Sequence, residues 1–405
     1  MPFIRVTRQP GFTEFVILIA LIISLVALSI DAMLPALPSI AAELGVTRIN
    51  DSQYVISVLF LGMAIGQMIF GPWSDNVGRK LAINVGFGVF IIGCLMSLLA
   101  EQYEQMLIGR FLQGLGAAGP RIVSVALVRD QYEGRAMARV MSFVMTIFIL
   151  VPVIAPWLGQ IIIAYSGWRA IFLLFLILSL VVMAWFSLRQ PETLPAAKRK
   201  AFSFRQLIRD TKIICSMPIA MGYTLTMGLI FGAFIGYLSS AQQIFQSVYG
   251  LGDEFVIYFG VLAASIGIAS LVNAQLVMRL GMRRLSFLSM LIIGLVSFPF
   301  YILASTYQGH PPLSIFMAYL LFVFFFMGIL FGNLNALAME PLGFIAGLGA
   351  ALVGSISTLV SVILGVLVAN AFDDTVMPLV FGLAALSIAG LVTMYTTEKI
   401  QSRAE

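Results

Sequence analysis

Long apolar stretches separated by short polar breaks run along this chain from residue 13 to residue 395. Twelve of them reach the roughly 20 residues that one helical crossing of a bilayer needs. They cover 13–37, 54–72, 81–100, 105–128, 139–163, 168–188, 217–241, 255–278, 285–305, 314–337, 347–370 and 376–395. Each run is continuously apolar, whereas a membrane β-strand alternates over about 10 residues. The pattern predicts an all-α polytopic membrane protein with twelve transmembrane helices. The longest polar break, 189–216, holds Pro191, Pro195 and Lys198-Arg199-Lys200 and follows the sixth span. It divides the chain into a six-helix bundle over 1–188, a cytoplasmic linker over 189–216 and a second six-helix bundle over 217–405.

Composition agrees with this reading. Of 405 residues, 60% are hydrophobic and 10% charged, and the mean hydropathy is +1.03. Soluble domains carry about 25% charged residues, so a large soluble core is excluded. The first run, behind Arg5 and Arg8, is longer than the apolar core of a signal peptide and is expected to remain as a helix. Lys and Arg mark the cytoplasmic side of a membrane protein. With both termini cytoplasmic, 19 of the 23 basic residues fall in cytoplasmic segments, only Arg48 and Arg169 fall outside, and Arg110 and Arg121 lie within a span. The net charge of +5 therefore reflects membrane orientation, and nucleic acid is not expected as a partner. Two separated cysteines, Cys94 and Cys215, and one histidine, His310, predict neither a disulfide nor a metal site. No H-E-x-x-H or nucleophile–histidine pattern is present, so no enzymatic activity and no cofactor are expected.

A charge inside the membrane costs several kcal/mol unless it is paired or hydrated. Among 18 acids, Asp31 alone lies well inside a span, with Glu14 and Glu340 nearer the ends. Asp31 stands about 18 residues into the first span, and Arg110 about 18 residues before the end of the antiparallel fourth. At 1.5 Å per residue both are about 27 Å from the cytoplasmic edge. They are expected to face each other, either as a fixed ion pair or as a proton-carrying carboxylate with a tuning base. Burial disfavours a charged carboxylate and a nearby guanidinium favours it; such opposition suits a group that exchanges protons. Arg121 follows Arg110 by 11 residues, about three turns, and so points the same way. It either snorkels or pairs with Asp130, or it lines a cavity and favours anionic or dipolar substrates.

The break between the second and third spans reads Gly71-Pro72-Trp73-Ser74-Asp75-Asn76-Val77-Gly78-Arg79-Lys80. It resembles the G-x-x-x-D-x-x-G-R-R/K signature of the major facilitator superfamily. Gly281-Met282-Arg283-Arg284 repeats the glycine and bases after the eighth span, as a duplicated half requires. Ser29-Ile30-Asp31-Ala32-Met33-Leu34-Pro35 through Pro38, Arg110-Phe111-Leu112-Gln113-Gly114-Leu115-Gly116, Val128-Arg129-Asp130 and Gly167-Trp168-Arg169 are similar to motifs of the Bcr/CflA-type drug:proton antiporters. Pro152, Pro156 and Gly159 fall at the helix-five motif of such antiporters. Here that motif reads Ala155-Pro156-Trp157-Leu158-Gly159-Gln160 instead of G-P-x-x-G-G. A second acid that some relatives place two turns before the aspartate is Ile23 here, which suggests one proton site.

The resemblance implies a proton-coupled multidrug efflux antiporter of a bacterial inner membrane, acting as a monomer. It would export small amphipathic compounds such as amphenicol-type antibiotics by alternating access, with the proton gradient as energy source. Asp31 and Arg110 would couple protons. Gly71, Asp75, Gly78, Arg79 and Asp130 would form an inner latch, Arg79 pairing with Asp130 and Asp75 meeting a helix terminus of the second half. Pro152, Pro156 and Gly159 would let helix five bend. Ser24, Gln113, Arg121, Tyr223, Tyr237, Asn333 and Asn335, among Met227, Phe231, Phe234 and Met327, are the expected substrate-cavity residues. A proton-coupled nutrient, metabolite or anion carrier on the same fold is the alternative.

Overall fold

The computed structural model describes residues 10–199 and 204–404. Arg5, Arg8 and Lys200, used in the charge count, lie outside them, as do the side chains of Lys198 and Arg403. The helices are α1 (Phe12–Asp31), α2 (Leu37–Glu43), α3 (Tyr54–Val77), α4 (Arg79–Leu98), α5 (Tyr103–Gln131), α6 (Gly134–Ser166), α7 (Arg169–Arg189), α8 (Phe204–Cys215), α9 (Pro218–Gln242), α10 (Phe255–Leu280), α11 (Met282–Thr306), α12 (Leu313–Met339), α13 (Ala346–Asn370) and α14 (Met377–Ala404). Twelve helical segments among the described residues are long and apolar enough to cross a membrane. Each coincides with one of the twelve apolar runs. This is an all-α, multi-pass membrane protein.

The first span differs from its predicted form in one respect. The run over 13–37 was expected as one helix, but α1 stops at Asp31 and a short 3-10 turn, Leu34–Ala36, precedes α2. Proline lacks an N–H and its ring crowds the carbonyl four residues earlier. Pro35 therefore withdraws the partner of the Asp31 carbonyl, and Pro38 does the same to Leu34. The sequence places Asp31 where the helix must end.

Chain contacts divide the protein into two compact units, Met1–Val46 with Val58–Phe204, and Thr47–Ser57 with Arg205–Glu405. The division falls at Phe204, inside the segment read as a linker. Residues 47–57, which the sequence reading puts with the first six spans, group with the second unit. There the Asn50 amide donates to the carbonyls of Asn370 and Phe372 at 3.2 and 3.0 Å, and Gln53 bonds Gln243. In the first unit α4 lies along α5 and α7, and α1 lies along α6. Lipid gives helices little hydrophobic reason to associate, so close contact of small residues supplies the packing. Gly86 and Gly93 of α4 meet Gly116 and Gly109 of α5 backbone to backbone. In the second unit α9 packs against α12, α13 and α14.

A further helix, α8, occupies the polar segment between the sixth and seventh spans. Ile214 is buried, while Arg205, Arg209 and Lys212 are exposed along adjoining turns. The apolar residues recur at helical rather than alternating spacing, which is why this segment coils in spite of its charge.

Candidate functional site

Asp31 is 6% exposed and makes no hydrogen bond or ion pair among the described residues. Arg110 reaches the same stretch of α1, but its guanidinium is held by other groups. One nitrogen donates to the Ser29 carbonyl at 3.0 Å and another to Gln113 Oε1 at 2.6 Å. The Phe172 ring lies 6.0 Å from its carbon. Of the two arrangements expected, the fixed ion pair is absent. Arg110 instead holds the backbone two residues before the carboxylate. Gln113, expected in a substrate cavity, is wholly buried and holds Arg110 while its amide faces Cys94 Sγ at 3.2 Å. It positions the arginine.

The break after Asp31 is covered by α6. A methyl group on Gly159 would run into the Ala32 carbonyl oxygen and approach the Ala32 carbonyl carbon at 2.9 Å. Glycine is therefore required by contact, one residue away from the acid. Helix α6 continues without interruption through Pro152 and Pro156.

The signature between α3 and α4 forms a compact charge cluster. Arg79, with a side chain 9% exposed, meets Asp75 at 2.6 Å and Asp130 at 3.0 Å. It also donates to Ser74 Oγ at 2.7 Å, and Ser74 in turn donates to the Gly71 carbonyl at 2.8 Å. Asp130 additionally accepts from Thr193 at 3.2 Å. The expected Arg79–Asp130 pair is present, so the alternative pairing of Asp130 with Arg121 is not formed.

Sequence reasoning missed Glu192. Its carboxylate accepts from the backbone N–H groups of Arg79 and Lys80 at 2.9 and 3.1 Å, two donors that the first turn of α4 cannot satisfy itself. An anion is favoured at this positive helix end. Gly78 turns the chain into α4 with φ +106°, and a side chain there would strike the Glu192 carboxylate. Backbone geometry and space both demand glycine. The only signal was the Pro191-Glu192-Thr193 sequence directly after the sixth span, which reads as an ordinary solvated loop.

The second unit repeats this plan with different acids. Gly281 enters α11 with φ +76°, and Arg283 meets Glu340 at 3.2 Å and Glu398 at 3.4 Å. Glu340 follows α12 as Asp130 ends α5, so the acid missing from the local repeat is supplied by other helices. Tyr223 is wholly buried and its hydroxyl donates to Glu398; it belongs to this cluster. Asn333 exchanges two hydrogen bonds with Asn273, at 2.8 and 3.2 Å. Asn335 is exposed. Tyr237 is buried against Phe324, with ring centroids 4.6 Å apart. Phe231, Phe234 and Phe331 keep partial exposure and pack at 5.3 to 5.7 Å, giving the second unit an aromatic wall. Met227 is partly exposed and Met327 buried.

In the first unit, the Ser24 hydroxyl is buried and lacks a partner among the described residues. Gln67 Nε2, which sequence reading passed over, shares that condition. The Gly167-Trp168-Arg169 motif serves as a tie. Trp168 Nε1 donates to Glu43 at 2.7 Å, Arg169 pairs with the same carboxylate, and Arg169 also donates to the Ala100 carbonyl at 2.9 Å. Among the described residues no cluster of His, Cys, Asp and Glu has the makings of a metal site.

The bicyclomycin resistance protein homolog of Haemophilus influenzae is 27% identical over 407 residues, covering 98% of this chain and 99% of that protein. Multidrug resistance protein MdtL of Escherichia coli O157:H7 is 27% identical over 342 residues, covering 84% and 85%. The crystal structure of a D-xylose–proton symporter has the same fold, with a TM-score of 0.73 over 95% of this chain and 98% of that one at 15% identity. The family model described as Major Facilitator Superfamily matches residues 19–365. Twelve membrane helices, the charged turn at Asp75–Arg79 and this match together make the chain a member of the Major Facilitator Superfamily of transporters.

Proposed function

We propose that the protein is a proton-coupled antiporter that exports small amphipathic compounds, amphenicol-type antibiotics among them, across a bacterial inner membrane. The observation that carries this reading is Asp31, a buried carboxylate with no hydrogen-bond or ion-pair partner among the described residues. A carboxylate left unpaired within a membrane span is an expense that a static scaffold avoids. A group that must take up and release a proton has reason to be unpaired. The names of the bicyclomycin and multidrug resistance relatives support an exporter of drugs.

In this reading, protonation of Asp31 and substrate binding disfavour each other, so a proton entering from outside promotes release there. The proton gradient is the energy source and no cofactor takes part. Arg110 and Gln113 hold the backbone around Asp31. Gly71, Asp75, Gly78, Arg79 and Asp130 act as the inner latch, with Glu192 bracing the start of α4. Both termini are cytoplasmic, and the monomer is the functional form. A proton-coupled nutrient or metabolite carrier is the second reading; the unpaired Arg121 favours it for anions.

The test is proton movement in proteoliposomes with a lumenal pH dye and chloramphenicol as substrate. Proton flux opposite to substrate, absent in Asp31→Asn while uncoupled substrate exchange persists, is the expected outcome. Flux in the same direction as substrate establishes a symporter. Undiminished coupled transport by Asp31→Asn removes Asp31 from the mechanism.

A further inference from the structure

Three charged residues lie more than five residues inside their spans, and all three are in the first unit: Asp31, Arg110 and Arg121. Arg110 is held by Ser29 and Gln113. Arg121 makes no hydrogen bond or ion pair among the described residues. Among the described residues the other guanidiniums that are not exposed have partners, Arg79 two carboxylates and Arg169 Glu43. Arg121 is the exception.

Its surroundings narrow the explanation. Arg121 keeps part of its surface accessible. It follows Arg110 by about three turns and so lies on the face of α5 that Arg110 turns to Ser29 of α1. A partly accessible guanidinium on that inward face fits a position beside an opening within the first unit. Ten residues, about 15 Å of helix, separate Arg121 from the end of α5 at Gln131. Even with Asp31 ionised, the three interior charges sum to +1. A buried net charge is costly in a membrane, and one bound anion brings the sum to zero.

We infer that Arg121 is the recognition point for an acidic group on the transported molecule, and that amphipathic aromatic carboxylates are the favoured substrate class. The guanidinium presents two parallel N–H donors that match a carboxylate fork to fork. This rests on the chain being a small-molecule transporter, and it adds a charge preference that the export reading lacks. Arg121 stands 11 residues from Arg110, about 16 Å along α5. At that separation, with an effective dielectric of about 20, an anion at Arg121 changes the proton affinity of the Asp31 region only about fivefold. Direct repulsion therefore does not set the sign of proton coupling, and recognition and coupling can be tested apart.

The experiment is equilibrium binding to the full chain in lipid nanodiscs, without a proton gradient, using nalidixate and its uncharged ethyl ester. The expected result is at least tenfold tighter binding of the acid by the unaltered protein. Arg121→Gln should weaken the acid by about 10- to 100-fold, the range for losing a charge-assisted hydrogen bond, and weaken the ester far less, so that retained ester binding also reports correct folding. Arg121→Lys, which keeps charge without the fork, should retain part of the acid preference and serves if the glutamine variant does not fold. Equal binding of acid and ester, binding of neither, or an Arg121→Gln variant that keeps the preference each overturns the inference. Acid preference without opposed proton flux defeats only the antiport reading; opposed flux without acid preference defeats only this one.

Discussion

The two units differ most in what they bury at mid-span. The first holds all three interior charges, Asp31, Arg110 and Arg121, between helices brought close by glycines at α4, α5 and α6. Among the described residues the second holds none, and puts there an aromatic cluster of Phe231, Phe234 and Phe331 with an Asn273–Asn333 pair. At their helix ends the units look alike, each with a positive-φ glycine followed by an arginine that gathers acids from other helices. Yet Arg79 is 9% exposed and Arg283 is 49% exposed. Charge needs fixed geometry to be tolerated in lipid, whereas apolar contact tolerates variation. Under the proposed function, the first unit would couple and the second accommodate.

The Asp31→Asn experiment tests the coupling side of this contrast most severely, because loss of gradient-driven transport is expected to be complete. Next comes the comparison of the two end clusters. Arg79→Ala strands Asp75 and Asp130 and should cost about 3 kcal/mol, with a large fall in the melting temperature of the purified protein. Arg283→Ala, at a solvated pair, should cost at most about 1 kcal/mol. Equal shifts would dissolve the distinction between the units.

Gly159→Val forces α6 away from the Ala32 carbonyl. A loss of about 1–3 kcal/mol is expected, and coupled transport should drop by about tenfold, since one decade is about 1.4 kcal/mol. Transport at the unaltered rate would show that the α1–α6 contact is dispensable. In the second unit, Asn333→Ala leaves Asn273 unsatisfied and should destabilise by about 1–2 kcal/mol. The double change Asn273→Leu with Asn333→Leu should recover most of that in thermal melts; no recovery would mean the pair does more than satisfy itself.

The smallest effect is expected from Phe234→Ala. Removing one aromatic contact is worth about 1 kcal/mol, or roughly a fivefold rise in KM. That rise should be similar for nalidixate and its ester, since the ring carries no charge. A change confined to one of the two would move charge recognition into the second unit.

Much of this was readable residue by residue. The charged turn at Asp75–Arg79 and the pairing of Arg79 with Asp130 follow from motif and helix order. The break at Asp31 was encoded in Pro35 and Pro38 but was hidden by the continuous apolar run to residue 37. Glu192 was not readable, because an acid in a polar linker looks the same whether it is solvated or seated on a helix N-terminus. Tyr223 and Gln113, expected at the substrate, are committed to Glu398 and Arg110 instead.

The sequence alone determined the number of spans, their order and the depth of each charge. A bilayer about 30 Å thick selects apolar runs of one length, and depth follows from counting along a helix. Only the tertiary structure decided which charges are paired. Asp31 and Arg110 share a depth by count, yet Arg110 bonds the Ser29 carbonyl and Asp31 has no ion-pair partner among the described residues. Helix rotation and the approach of distant segments set those partners within a few ångströms, a scale that the periodicity of a single chain leaves open.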